Sequence, residues 1–188
     1  MPNWCDNRVD FSGPAEDLVK LKKLIGTDEL FISFQRIKPM PESLNMAPGS
    51  CTLMYEVVYG DIGKVLNYPW VKEAGITTRN ELIRYVKKEQ PDYLKWAVQY
   101  KSNLERYGFL DWYGWRVANW GTKWNVMLDD IHVIEDAPES LSIEFRTVCS
   151  APRGIYKALL KLFDEHKLNV HATWFYNEPS AQSVGYLS

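Results

Sequence analysis

Alternation of apolar and polar positions marks a strand near the start of the chain. From Cys5 to Ser12, Val9 and Phe11 alternate with Arg8, Asp10 and Ser12, a period of two. Ser12-Gly13-Pro14 interrupts that pattern. Leu18, Leu21, Leu24 and Ile25 then recur at helical spacing, behind first-turn acids Glu16 and Asp17 and ahead of Gly26, a natural stop. The end of the chain repeats this grammar. Leu141, Ile143, Phe145 and Thr147 alternate with Ser142, Glu144, Arg146 and Val148 in a strand reaching Cys149. Ser150-Ala151-Pro152 opens a helix whose apolar stripe is Ile155, Leu159, Leu162 and Phe163. Asn169 to Asn177 is a last strand rich in β-formers. One more strand is predicted over Asn125 to Ile134. A turn at about Glu135 to Ser140, where Pro138 disfavours strand continuation, joins it to the next.

The resulting order is β-α-insert-β-β-α-β. It predicts the α+β class, in the form of a ferredoxin-like split βαβ sandwich: a four-stranded antiparallel sheet with two helices. Residues 1–38 and 117–188 form this discontinuous domain. Residues 39–116 form a mainly helical insertion that covers or extends the sheet. Within it, Leu53 to Tyr59 is a strand candidate. Thr78-Arg79-Asn80-Glu81 matches a capping box, Pro91 separates two helices, and Gly108 stops the longer one. The last strand carries apolar residues on both faces, which predicts a second cover for the sheet. The insertion is the candidate cover, with Trp120 and Trp124 buried beneath it.

Composition narrows function mostly by exclusion. The 188 residues are 46% hydrophobic and 24% charged with a net charge of −2, enough for a core and without a global basic excess. Cys5, Cys51 and Cys149 lie far apart, which argues against a disulfide framework and a structural zinc site. Neither a signal peptide nor an apolar run long enough to span a bilayer is evident, so the expected location is the cytoplasm. The unusual feature is eight tryptophans, four of them at Trp112, Trp115, Trp120 and Trp124.

Met1-Pro2-Asn3-Trp4-Cys5 with Asn7, the step Pro39-Met40-Pro41, and above all Asn119-Trp120-Gly121-Thr122-Lys123-Trp124 resemble the YubB/Api-like family. These are plasmid and phage proteins with a ferredoxin-like domain interrupted by a central domain. The resemblance spans nearly the whole chain. It implies that fold and a mobile-element origin, and it carries no activity or catalytic residues. Asn3, Trp4, Asn119, Trp120, Gly121, Thr122 and Trp124 are read as its structural motif. Cys149 departs from it, standing where such proteins often carry Trp.

Trp112, Tyr113 and Trp115, with Arg116 and Lys123, form the candidate binding surface, suited to packing, to stacking bases or to a protein interface. Asp129, Asp130, His132, Glu135 and Asp136 suggest a divalent metal, but strand alternation would send them to opposite faces. Pro2 suggests an N-terminal proline base, but the predicted strand does not start directly at it. No Cys–His pair is selected by spacing, and one Gly with Lys123 does not make a phosphate loop. No cofactor and no metal are called for.

The expected function is therefore a non-catalytic binding protein of a mobile element, docking onto a host or phage protein. The alternatives are a nucleic-acid-binding module and a metal-dependent enzyme acting on nucleic acid. Nucleic-acid binding is expected to be weak and non-specific, because phosphate contacts need clustered Lys and Arg.

Overall fold

The structure, a computed structural model, describes residues 3–47 and 50–188, so Pro2 lies outside the described residues. The chain divides into two units, Met1–Met40 with Arg116–Ser188, and Pro41–Trp115.

The first unit is built on a five-stranded antiparallel sheet in the order β2-β3-β1-β4-β5. The strands are β1 (Trp4–Ser12), β2 (His132–Asp136), β3 (Ser140–Val148), β4 (His171–Glu178) and β5 (Ser183–Tyr186). Val9 of β1 lies opposite Ile143 of β3 and Trp174 of β4, and Phe11 lies opposite Leu141 and Ala172. The period of two thus aligns apolar residues across three strands on one face. Helices α1 (Ala15–Ile25) and α9 (Arg153–His166) supply the facing stripes, Leu18, Leu21 and Ile25 with Ile155, Leu159 and Phe163, all buried. The rings interlock edge to face, Phe11 with Phe163 at 6.5 Å and Tyr156 with Trp174 at 6.1 Å. Each such buried side chain stabilises the fold by roughly 1.5–3 kcal/mol. The short helix α2 (Phe34–Ile37) packs against both α1 and α9.

Three expectations are corrected here. The predicted strand over 125–134 begins only at His132. Leu128–Asp130 is a single 3-10 turn, closed by Asp130 N–H donating to the Met127 carbonyl at 3.0 Å, so strand alternation does not govern Asp129 and Asp130. The chain also adds a fifth strand, β5, pairing on β4 with Phe175 opposite Tyr186. Four residues are too few to display a period. Finally, the second face of the sheet is not apolar throughout: its side chains include Asp6, Arg8 and Arg146, all exposed.

The second unit is helical: α3 (Ser50–Val58), α4 (Ile62–Leu66), α5 (Pro69–Glu73), α6 (Arg79–Glu89) and α7 (Asp92–Tyr107), followed by α8 (Trp112–Trp120), which runs on into the first unit's segment. Residues 53–58 are helical and not a strand, because Met54 and Val57 sit on one helical face and are buried against α7. The capping box is formed: Glu81 N–H donates to Thr78 Oγ1 at 3.3 Å, and Thr78 N–H donates to Glu81 Oε2 at 3.1 Å. Gly108 ends α7 with φ of 76°, a left-handed turn that favours glycine. Met54, Val57, Val65, Val71, Ile76, Leu82, Val86 and Ala97 form this unit's own core. Among the described residues no helix is long and apolar enough to cross a membrane.

Candidate functional site

The two sequence motifs meet at the turn between β3 and α9. Cys149 N–H donates to the Asn3 carbonyl at 2.8 Å, and Thr122 Oγ1 donates to the Val148 carbonyl at 2.8 Å. The Ser150 hydroxyl donates to the Gly121 carbonyl. Asn7 is buried and uses its whole amide: Nδ2 donates to the Cys5 carbonyl and to Thr147 Oγ1, each at 2.9 Å, and Oδ1 accepts from Trp174 Nε1 at 3.1 Å. Trp120 is buried, its ring edge-on to Phe34 at 5.9 Å. Buried polar groups satisfied this completely hold the turn in a single arrangement.

Two glycines make the junction possible. Gly121 has φ of 90°, and a Cβ there would stand 2.9 Å from Arg153 N. A Cβ on Gly154 would stand 2.0 Å from the Asn119 carbonyl oxygen. The end of α8 and the start of α9 therefore touch backbone to backbone.

Beside this junction runs a groove of about 650 Å³ between α9 and the segment Ile37–Pro39. Lys38, Arg153, Lys157 and Lys161 line it, against one carboxylate, Glu165, which pairs with Lys161 at 3.3 Å. The Lys38 ammonium donates to the Asn119 carbonyl at 3.3 Å, and burial lowers its pKa from the ordinary lysine value. Arg153 donates to the Tyr176 hydroxyl at 2.9 Å. That hydroxyl is held below its usual pKa by Ser183 and then by Arg153.

The open face of the sheet holds a second hollow, of about 580 Å³, and its charges are largely satisfied by one another. Arg146 pairs with the buried carboxylate of Asp130, its Nε donating at 2.9 Å, and covers the Trp4 ring at 4.8 Å. Arg8 pairs with Asp10 at 3.0 Å and lies 3.8 Å from Glu144. Asp130 and His132, which strand alternation assigns to one face, both line this hollow. Among the described residues no three His, Cys, Asp or Glu side chains gather closely enough to hold a metal ion.

The helical unit carries a third hollow, of about 380 Å³, lined by Leu53, Met54, Trp70, Tyr85, Val86 and Tyr93 with Glu89 and Gln90. Trp70 and Tyr85, each about two-fifths exposed, lie 6.2 Å apart, and Tyr93 stacks on Trp96 at 4.6 Å. Spacing alone does not bring Trp70 and Tyr85 together, because their side chains come from separate helices, α5 and α6.

The residues predicted as a binding surface are placed differently from one another. Trp112 and Arg116 are half-buried, Trp115 is buried and Tyr113 is exposed, all on α8. Arg116 covers the Trp120 ring at 4.8 Å, and burial lowers its pKa. Lys123 covers the ring of Trp124 at 4.5 Å. Trp124 itself is 37% exposed, which corrects the expectation that it shares the burial of Trp120. Cys5 is buried, and burial pushes its thiol up to about 11, while Cys149 is exposed in a left-handed conformation with φ of 76°.

No protein-family model matches the chain, and no curated protein sequence matches it. Among solved structures the chain is similar to the protein api92 from Yersinia pseudotuberculosis, of the family DUF1281. That likeness covers 99% of this chain and 93% of the other, at 13% identity and a TM-score of 0.46.

Proposed function

We propose that this chain is a non-catalytic binding protein of a mobile genetic element, whose helical unit docks an apolar helix of a host or phage protein and thereby modulates host functions. The observation that carries this reading is the aromatic groove on the helical unit. Trp and Tyr are the residues that anchor protein interfaces, where a few buried rings carry most of the energy. Here Trp70 and Tyr85 stand over a floor of Leu53, Met54 and Val86, and Met54 and Val86 belong to that unit's own core. A groove backed by a packed core is pre-organised, which lowers the entropy cost of binding. An amphipathic helix presenting anchors at i, i+3 and i+4 fits such a groove.

The first unit is read as a ferredoxin-like split βαβ domain extended by β5. The order β2-β3-β1-β4 with α1 after β1 and α9 after β3 supports this. The mobile-element origin rests on the resemblance of the Asn119–Trp124 motif. Both are secondary to the docking proposal, since fold does not decide function.

The test is affinity capture from the native host with mass spectrometry, run in parallel with wild type and a Trp70→Ala/Tyr85→Ala variant. Both residues are exposed enough for the fold to survive, which a thermal melt checks. A protein recovered with wild type and lost with the variant supports the proposal. Recovery of the same proteins with both would remove the groove as the docking site.

A further inference from the structure

The basic groove beside α9 has an arrangement that the protein-docking reading does not use. Arg153, Lys157 and Lys161 follow one another at intervals of four residues on one helix, about 6 Å apart along its axis. Lys38 stands on the other wall, after α2. Among the described residues, none of Lys38, Arg153 and Lys157 has a carboxylate within ion-pair distance, and Lys161 shares Glu165. The lining between them is small and neutral: Ala118, Gly121, Gly154 and Ala158. A further hollow lined by Lys22, Lys23 and Arg36 also holds Asp28, and its Lys22 is paired with Asp136, so the row of largely unpaired cations belongs to the groove beside α9.

We propose that this groove binds the sugar-phosphate backbone of a single nucleic-acid strand. A row of cations at regular intervals matches a ligand with regularly repeated negative charge better than one isolated anion, which needs donors converging on a point. The cations lie in a concavity with Lys38 and α9 on opposite walls. One strand enters such a cleft, whereas a duplex or a flat headgroup surface rests outside it. Among the described lining residues there is no aromatic ring, so bases are not stacked and the binding is blind to sequence. The sheet's open face is disfavoured for the same ligand. Its arginines are already paired with Asp10, Asp130 and Glu144.

The experiment uses the full chain and a fluorescently labelled oligothymidylate of about 20 nucleotides, titrated by anisotropy across salt. Contacts to three or four phosphates on a single strand give a log–log salt slope of about −2 to −3. The expected result is binding in the range of roughly 1–100 μM at physiological salt with that slope. Lys157→Glu lowers affinity, on the order of tenfold or more at low salt, by replacing attraction with repulsion. Glu165→Gln raises it, because it removes the one carboxylate among the described residues that line the groove. Both side chains are exposed, and matched thermal melts confirm folding. Lys157→Gln replaces Lys157→Glu if the latter unfolds. A charge reversal elsewhere, Lys87→Glu, leaves affinity unchanged. The proposal is overturned if the oligonucleotide does not bind, if Lys87→Glu matters as much as Lys157→Glu, or if Glu165→Gln has no effect. It is equally overturned if a duplex of the same length binds as tightly, if inorganic phosphate at low millimolar level displaces the strand, or if vesicles with anionic lipid bind in its place.

Discussion

Trp120 donates its indole N–H to the backbone carbonyl of Lys38 at 2.8 Å. The bond ties the end of α8 to the segment leaving α2, and it gives the only polar atom of a buried ring its partner. The same Lys38 sends its ammonium to the Asn119 carbonyl, so ring and chain hold each other across one groove wall.

Trp120 and Trp124 therefore part company on mutation. Trp120→Ala removes a buried ring packed on Phe34 and is expected to cost about 3–5 kcal/mol. Trp124→Ala removes a ring that stays 37% exposed and is expected to cost less than about 1 kcal/mol. Urea denaturation of the two variants measures the difference. Equal losses would contradict the placement of Trp124.

Gly154→Ala sets two effects against each other. Alanine is the better helix former by about 1 kcal/mol. Its Cβ, however, would meet the Asn119 carbonyl at 2.0 Å, and a backbone atom has no rotamer to escape into. Forced separation of α8 and α9 is expected to win, with a net loss of about 2 kcal/mol. A variant more stable than wild type by chemical denaturation would sink this account of the junction.

Asp17 gives the fold an acid-sensitive link. Its buried carboxylate accepts the Asn169 backbone N–H at 3.0 Å and pairs with Lys20 at 3.0 Å, and these hold its pKa below the ordinary 3.8. A depressed pKa stabilises the fold above the unfolded-state value, and the benefit is lost as pH falls through the folded-state value. Asp17→Asn is thus expected to be less stable than wild type at neutral pH, with the gap closing in acid. Denaturation midpoints of both proteins from neutral pH down to about pH 3 test this across the carboxylate range. A gap independent of pH would refute it.

The two described free cysteines differ in reactivity. Burial pushes Cys5 up to about 11, leaving little thiolate, whereas Cys149 is exposed. Brief maleimide treatment of the native protein is expected to modify Cys149 and spare Cys5, as read by peptide mass spectrometry. Cys5 should react only once denaturant is added. Comparable modification of both in the native state would show that the β1 environment is more open than described.

The strands β1, β3 and β4 and the helices α1 and α9 were legible in the sequence because each is long enough to display its period against neighbours of opposite polarity. The capping box at Thr78 and the stop at Gly108 were legible because both are local chemistry within a few residues. The α+β class follows from these elements alone. What stayed hidden depends on partners distant in the chain. Leu53 to Tyr59 was ambiguous, since a short apolar run suits strand and helix alike until α7 covers Met54 and Val57. The 3-10 turn at Leu128–Asp130 sits where the Asp130 carboxylate finds Arg146, a residue beyond the next hairpin turn. Neither the aromatic groove nor the basic one is written as a motif. Trp70 and Tyr85 come together from two separate helices, and Lys38 faces Lys157 and Lys161 because α2 packs on α9. Periodicity and capping act over a turn or a strand, so the chain alone determined its elements. Surfaces are assembled by long-range packing, and only the tertiary structure decided which side chains share one.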